Sequence, residues 1–455
     1  MPVVRGKCTN FGLCPKADGR EWIEAALEDF VCPECGRPLE KAGKPAGGGS
    51  SKTLVIAGAA GVILAAAGVI FWQMTCCAPP PVPDPEPNKP VVDKGSDQKP
   101  WLRLAGSDTM ASRLAPALVT AFNAKEPEKR TINITGEGST TAFECLQQGT
   151  CEIGMSSRQA TPTEAANLTE KVVALDAVAL IVNASRPKTT VSEAVSSSHF
   201  FNRNEKSGTG IWFLAQVAPK IPDGAVTVAN NAEMLAKVQA DRQGLGYVSR
   251  AFVAAAVQEL APEGKPFTRD SIATESHPWA RRLYFYLPAN PTPAAQQFTD
   301  FATSEAGQKV AENAGFVGQN IRMVSTVKAP ENAPPEYQGV AAIAERLSLD
   351  IRFETNSRVL DSKAKDDLDR IVKLLNQPAL KDRKILLFGF ADAQGSRGTN
   401  LTLSKDRAQA VATALKGKSI DPALITGFGQ DLPVAPNDTE ANREKNRRVE
   451  IWLRR

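Results

Sequence analysis

The chain has 455 residues, 23% of them charged and 42% hydrophobic, with a formal net charge of +4. Such a length exceeds what one core organises and predicts about three folded units. The small net charge excludes a nucleic-acid partner, because the basic run Arg443, Lys445, Arg447, Arg448 is interleaved with Glu444 and Glu450; its alternation with Val449, Ile451 and Leu453 predicts a last strand with a solvated face.

Cys8, Cys14, Cys32 and Cys35 all fall within residues 1–44. In Cys32-Pro-Glu-Cys35-Gly36 the glycine lets backbone amides turn toward thiolate sulfur. This segment resembles a zinc ribbon, which implies a structural zinc on four thiolates with no open coordination position; reduced, unpaired thiols are the alternative. Leu54 to Trp72 carries no charge. At 1.5 Å per residue it is long enough to cross a hydrocarbon layer of ~30 Å, which places a transmembrane helix over 53–74. Some fifty residues precede it, too many for a cleaved leader, so it reads as a signal anchor. Arg37, Lys41, Lys44 and Lys52 on one side, against Asp84 and Glu86 on the other, put the N-terminus in the cytoplasm. Residues 75–100 form a proline-rich stem, on the order of 70 Å if extended. Cys76 and Cys77 receive no role. Cys145 and Cys151 then stand in an oxidising compartment, either joined or as free thiols.

The region 101–328 opens with the apolar strand Trp101 to Ala105, then Gly106-Ser-Asp-Thr-Met110 and a helical pattern through Leu114, Leu118, Val119 and Phe122. A small-residue turn feeding a helix is a frequent anion-binding arrangement, since free amides point outward. It recurs at Gly136-Glu-Gly-Ser-Thr140, Ile153-Gly-Met-Ser-Ser-Arg158 and Arg203-Asn-Glu-Lys-Ser-Gly-Thr209. Hydroxyls and amides supply many donors and Arg203 a permanent charge, which suits a tetrahedral oxyanion. With Gly244-Leu-Gly-Tyr-Val-Ser249 and Leu283-Tyr-Phe-Tyr-Leu287, these motifs resemble the phosphate-binding periplasmic proteins of ABC importers. The resemblance implies two α/β lobes closing on phosphate or a similar oxyanion, held by Ser107, Thr109, Ser139, Ser157, Arg203, Ser207, Gly208 and Thr209. That family carries an aspartate near Ser157 to accept the proton of monobasic phosphate; here Ser157 is followed by Arg158. The join from Val191 to Arg203 is also shorter than the family's.

After a break at Ala329-Pro-Glu-Asn-Ala-Pro-Pro335, the apolar run Lys384 to Ala391 ends in Asp392, and Arg407 is expected to open an amphipathic helix through Ala408, Val411, Ala412 and Leu415. A carboxylate and a guanidinium together suit a zwitterionic amino-acid head. Gly389-Phe-Ala-Asp392, Gly395, Asn400-Leu-Thr-Leu-Ser404, Arg407-Ala408 and Asn446-Arg-Arg-Val-Glu-Ile451 resemble the OmpA-like C-terminal domain over 340–455. The resemblance implies a mixed α/β fold that binds peptidoglycan, Asp392 and Arg407 holding the diaminopimelate of the peptide stem, with Asn400, Leu403 and Arg447 beside them. A polar pair such as His-Thr usually precedes the aspartate, where this chain has Phe390-Ala391.

The expected architecture is thus an α/β multidomain chain: a zinc ribbon, one transmembrane helix, a stem, a two-lobed periplasmic-binding-protein-like domain and an OmpA-like domain. His199 and His277 stand in no nucleophile or metal motif, so no enzyme is expected. The expected function is a single-pass protein of a bacterial inner membrane that binds a small oxyanion and peptidoglycan, as sensor or tether, with a cytoplasmic partner still to be identified. The alternatives are a component of phosphate ABC transport and a purely structural tether. A proton-driven stator ranks last, because the span holds no carboxylate.

Overall fold

The computed structural model describes residues 3–7, 22–26, 32, 39–41 and 100–454, except 188, 263–264, 325–328, 354–356 and 358. The expected span, the stem, and Cys8, Cys14, Cys35, Cys76 and Cys77 lie outside the described residues. Among the described residues no helix is long and apolar enough to cross a membrane. Near the N-terminus, β1 (Val3–Lys7), β2 (Trp22–Ala26) and β3 (Glu40–Lys41) form an antiparallel sheet in the order β2-β1-β3, and Cys32 is buried.

The middle domain begins with β4 (Leu102–Gly106), α1 (Ala115–Asn123), β5 (Ile132–Thr135), α2 (Ser139–Gln148) and β6 (Ile153–Ser156). β4 runs parallel to both β5 and β6, a pairing that needs helical crossovers and accounts for the strand-helix alternation. Cys145 and Cys151, left open above, are joined by a disulfide with Cα atoms 5.4 Å apart, tying the end of α2 to the approach of β6.

β7 (Leu168–Asn183) is sixteen residues long, and its last twelve are buried, which explains an apolar run without alternation. The excursion after it builds the second lobe: α3 (Val191–Val195), β8 (Phe201–Arg203), α4 (Gly208–Gln216), β9 (Val226–Val228), α5 (Asn231–Ala240), β10 (Leu245–Ser249), β11 (Val257–Leu260) and α6 (Arg269–Ala273). β10 and β11 pair with the far half of β7, and β8 with β9 forms a separate parallel pair. β12 (Ala280–Pro288) returns antiparallel to β7, with a register shift between Leu283 and Tyr284, and pairs with β6. α7 (Pro293–Thr303) and α8 (Glu305–Asn313) complete the first lobe. β7 and β12 are therefore the strands that join the lobes.

The C-terminal domain comprises β13 (Met323–Val324), α9 (Pro335–Ala341), β14 (Ala344–Arg352), α10 (Ser362–Leu375), β15 (Lys384–Gly389), α11 (Arg397–Lys416), β16 (Leu424–Gly427), α12 (Glu440–Asn446) and β17 (Arg448–Arg454). Its sheet order is β13-β14-β17-β15-β16. Leu368 and Ile371 of α10 and Val411 and Leu415 of α11 pack on Ile351, Leu387 and Ile451 on one face. On the other, Tyr337 of α9 sits among Phe388, Phe390, Phe428 and Trp452. The break at 329–335 thus ends in a helix that covers this domain.

Two expectations are corrected here. β17 lies between β14 and β15 with both faces covered, so Arg448 and Glu450 are buried rather than solvated. They pair at 2.8 Å, and the Tyr337 hydroxyl donates to Glu450 at 2.9 Å. Arg407 does not open a helix: α11 starts at Arg397, where the Ser396 side chain accepts from the Thr399 amide, and Arg407 falls in its second half.

Candidate functional site

Three turns converge between the lobes: the one after β4 carrying Ser107, Asp108 and Thr109, the start of α2 at Ser139, and the start of α4 at Ser207, Gly208 and Thr209. The amides of a helix's first turn have no partner inside the helix and carry the positive end of its dipole. Ser157 follows β6 and Arg203 ends β8, and all eight expected oxyanion residues are buried. Ser139 Oγ lies 3.3 Å from Ser157 Oγ and accepts from the Ser157 amide at 3.0 Å. Gly208 packs so closely that a Cβ there would stand 2.1 Å from Ser139 Oγ, which restricts the position to glycine. Thr109 of the first lobe and Thr209 of the second share a hydroxyl contact at 3.3 Å, so the cleft is closed.

Four residues that the sequence reading missed complete the cradle. Asp108 Oδ2 accepts from the Asn231 amide at 3.0 Å, from Asn231 Nδ2 at 2.8 Å and from Arg203 Nη2 at 3.3 Å. Burial raises the Asp108 carboxyl above its ordinary range and lowers the Arg203 guanidinium, while each one's charge opposes the other's shift. Arg281 of β12 grips Asp176 of β7 through Nε at 3.0 Å and Nη2 at 2.8 Å, and donates from Nη1 to Thr209 Oγ1 at 3.0 Å. Two buried polar atoms, Ser107 Oγ and Arg203 Nε, have no hydrogen-bond partner among the described residues. Asp108 is a carboxylate of this cradle, on a different element from the aspartate that the family carries near Ser157, and Arg158 turns to Glu164 at 2.6 Å. Asp108 sat within the quoted Ser-Asp-Thr turn, the one signal available, whereas Asn231 and Arg281 lie in segments with no motif.

In the C-terminal domain Asp392 follows β15, and its partner is Arg447, at 3.0 Å, rather than Arg407. Arg407 is fully buried and, among the described residues, donates to the Ser357 carbonyl at 3.3 Å and the Phe390 carbonyl at 3.4 Å, with its guanidinium 5.7 Å from the Phe353 ring centre. Its Nη2 has no hydrogen-bond partner among the described residues. Burial, and next the Arg447 charge, pulls Arg407 down to about 10, with Asp392 opposing. Asn400 is buried and donates to Gln430 at 2.8 Å, and Leu403 is half-buried. At the departure Phe390-Ala391, the Phe390 backbone carbonyl accepts from Arg407 and its ring stacks 3.9 Å from the Arg448 guanidinium. His277 and His199 are bonded within the second lobe, to Trp279 and Lys265 and to Asp241 respectively.

The OmpA family model matches residues 352–447, and the model of a PBP superfamily domain matches 84–306. Phosphate-binding protein PstS 2 of Streptococcus pneumoniae serotype 4 is 39% identical over 93 residues, 20% of this chain and 31% of the relative. Peptidoglycan-binding protein ArfA of Mycobacterium tuberculosis is 29% identical over 158 residues, 33% of this chain and 48% of the relative. The chain therefore spans less than half the length of either. An ABC-type phosphate transport receptor from Vibrio cholerae aligns with a TM-score of 0.41 at 23% identity, covering 48% of this chain and 99% of that one. The chain joins a PBP superfamily domain at 84–306 to an OmpA family domain at 352–447.

Proposed function

We propose that this is a cell-envelope binding protein that holds peptidoglycan through its OmpA family domain and phosphate through its PBP superfamily domain. The observation that carries the anion reading is the closed cradle, in which hydroxyls, first-turn amides and Arg203 converge from both lobes and two buried polar atoms await a partner. Asp108 supports phosphate in particular. An ionised carboxylate only accepts hydrogen bonds, so it favours an oxyanion that still carries a proton and clashes with one offering lone pairs alone. Titration calorimetry of the detergent-solubilised full chain tests this: phosphate binds and sulfate does not, and silence with both would leave only a tether.

At the wall site, Asp392 accepts from the ammonium of the diaminopimelate head while Arg407 Nη2, unpartnered among the described residues, takes its carboxylate. Retention on purified sacculi, compared with Asp392→Ala and Arg407→Ala, is the measurement; equal retention of all three would remove the contact. The uncharged run 54–72 supports a single inner-membrane span with the N-terminus cytoplasmic and both large domains periplasmic. Protease added outside spheroplasts should then digest the Arg455 end and spare the Cys8 end.

In the N-terminal segment Cys8, Cys14, Cys32 and Cys35 would hold a structural zinc. Full burial of Cys32 beside only short strands fits a ligand thiolate, and zinc content of the purified chain checks it. The reading assigns no catalysis: the imidazoles of His277 and His199 are engaged in structural bonds. Two binding domains on one anchored chain support a sensor that reports on anion and wall together, through a cytoplasmic partner of the ribbon.

A further inference from the structure

We propose that the C-terminal domain is a brace across the hinge of the two-lobed domain, so that anion occupancy of the cleft and seating of the wall-binding domain stabilise one another; this rests on the anion reading above. The C-terminal domain touches both lobes. On the first lobe, Asp366 of α10 takes Lys171 at 2.9 Å, and Arg370 donates at 3.3 Å to Gln319, itself bonded to the Val172 carbonyl at 2.8 Å. On the second, Lys445 of α12 donates to the His277 carbonyl at 2.8 Å and to the Pro278 carbonyl. Arg352 of β14 donates to the Thr274 carbonyl at 2.9 Å, and Lys363 approaches Glu275 at 3.6 Å.

The connection to the cleft runs through consecutive residues of β12. Successive strand side chains point to opposite faces. Arg281 points to Thr209 and Asp176 in the anion cradle, and Arg282 points away, bonded to Glu275 at 2.8 Å and to Asp361 of the C-terminal domain at 2.7 Å. The wall site joins from the other end, because Lys445 is seated on the second lobe two residues before Arg447, the partner of Asp392.

Opening the cleft turns the second lobe against the first about β7 and β12. A domain fastened to both must then release one set of contacts. Glu275, Lys363, Arg352 and Lys445 are all under 10% exposed, and a buried charge parted from its partner is costly. The brace therefore favours the closed cleft, and by thermodynamic linkage a bound anion favours the seated brace.

The test uses the full chain in detergent micelles with inorganic phosphate. In the double variant Asp361→Asn, Lys445→Met, where asparagine keeps the helix cap and methionine the volume, phosphate should dissociate about tenfold faster and bind correspondingly more weakly. In the parent, hydrogen exchange over 274–278 and α12 should slow when phosphate is added. That second measurement stands if the variant misfolds. A parent that binds phosphate with neither change would overturn the brace alone; a parent that binds neither phosphate nor sulfate would overturn the anion reading, and the brace with it.

Discussion

Replacing Arg407 with methionine should make the protein more stable and unable to hold the wall. Burial pulls this guanidinium well below the ordinary arginine range, to about 10, which at 1.36 kcal/mol per pH unit makes its charge cost roughly 3 kcal/mol in the folded state. Two long bonds to carbonyls and the Phe353 face return about 1 to 2 kcal/mol. Arg407→Met keeps the packing volume, removes the charge and leaves those carbonyls to relax, for a net gain of about 1 kcal/mol, or an increase of about 3 to 6 °C in the midpoint of this domain. The sign with pH is fixed: the folded pKa lies below the unfolded one, so the cost is in full force below about 10 and fades above it. Scanning calorimetry at pH 7 reads the stability, and retention on sacculi reads the function. A lower midpoint, or undiminished retention, would show that Arg407 is a structural residue whose Nη2 takes no ligand.

Other consequences are as direct. Asp108→Asn removes the lone pairs that exclude sulfate, so competition calorimetry should show the phosphate preference falling at least about tenfold. Cys145→Ser opens a disulfide spanning a sequence separation of 6, and loop entropy predicts a loss of about 2 kcal/mol in denaturant unfolding, matched by reducing the parent. His277 has Nδ1 accepting from the Trp279 amide, so its ring is neutral, and burial lowers it from 6.5 to about 4. The unfolded chain takes up a proton across that window that the folded chain refuses, so stability falls by up to roughly 3 kcal/mol as pH drops from 6.5 to 4. Urea midpoints at pH 7 and 4.5 measure it, and His277→Gln should flatten the difference.

What the sequence disclosed depended on whether partners lie close in the chain. The turns at Ser107, Ser139 and Ser207 were legible because a turn, its cap and its helix are local. Gly208 was legible as a turn residue, though not as the neighbour of Ser139 that the fold makes it. Arg281 and Asp176 were not, since they meet through the register of β12 on β7 across 105 positions, and each alone reads as an ordinary charge on a strand. At the wall site the resemblance already set Arg447 beside Asp392 and Arg407, but the ion pair of Arg447 with Asp392 is made by the return of the chain through α12, which no local pattern shows. The misread last strand follows from the same cause, because alternation reveals which face is apolar, and only topology reveals that α9 comes back to bury the polar one. Local pattern thus locates donors. Which acceptor each donor serves, and which donor, such as Ser107 Oγ, Arg203 Nε or Arg407 Nη2, is left without one among the described residues, is decided by strand order.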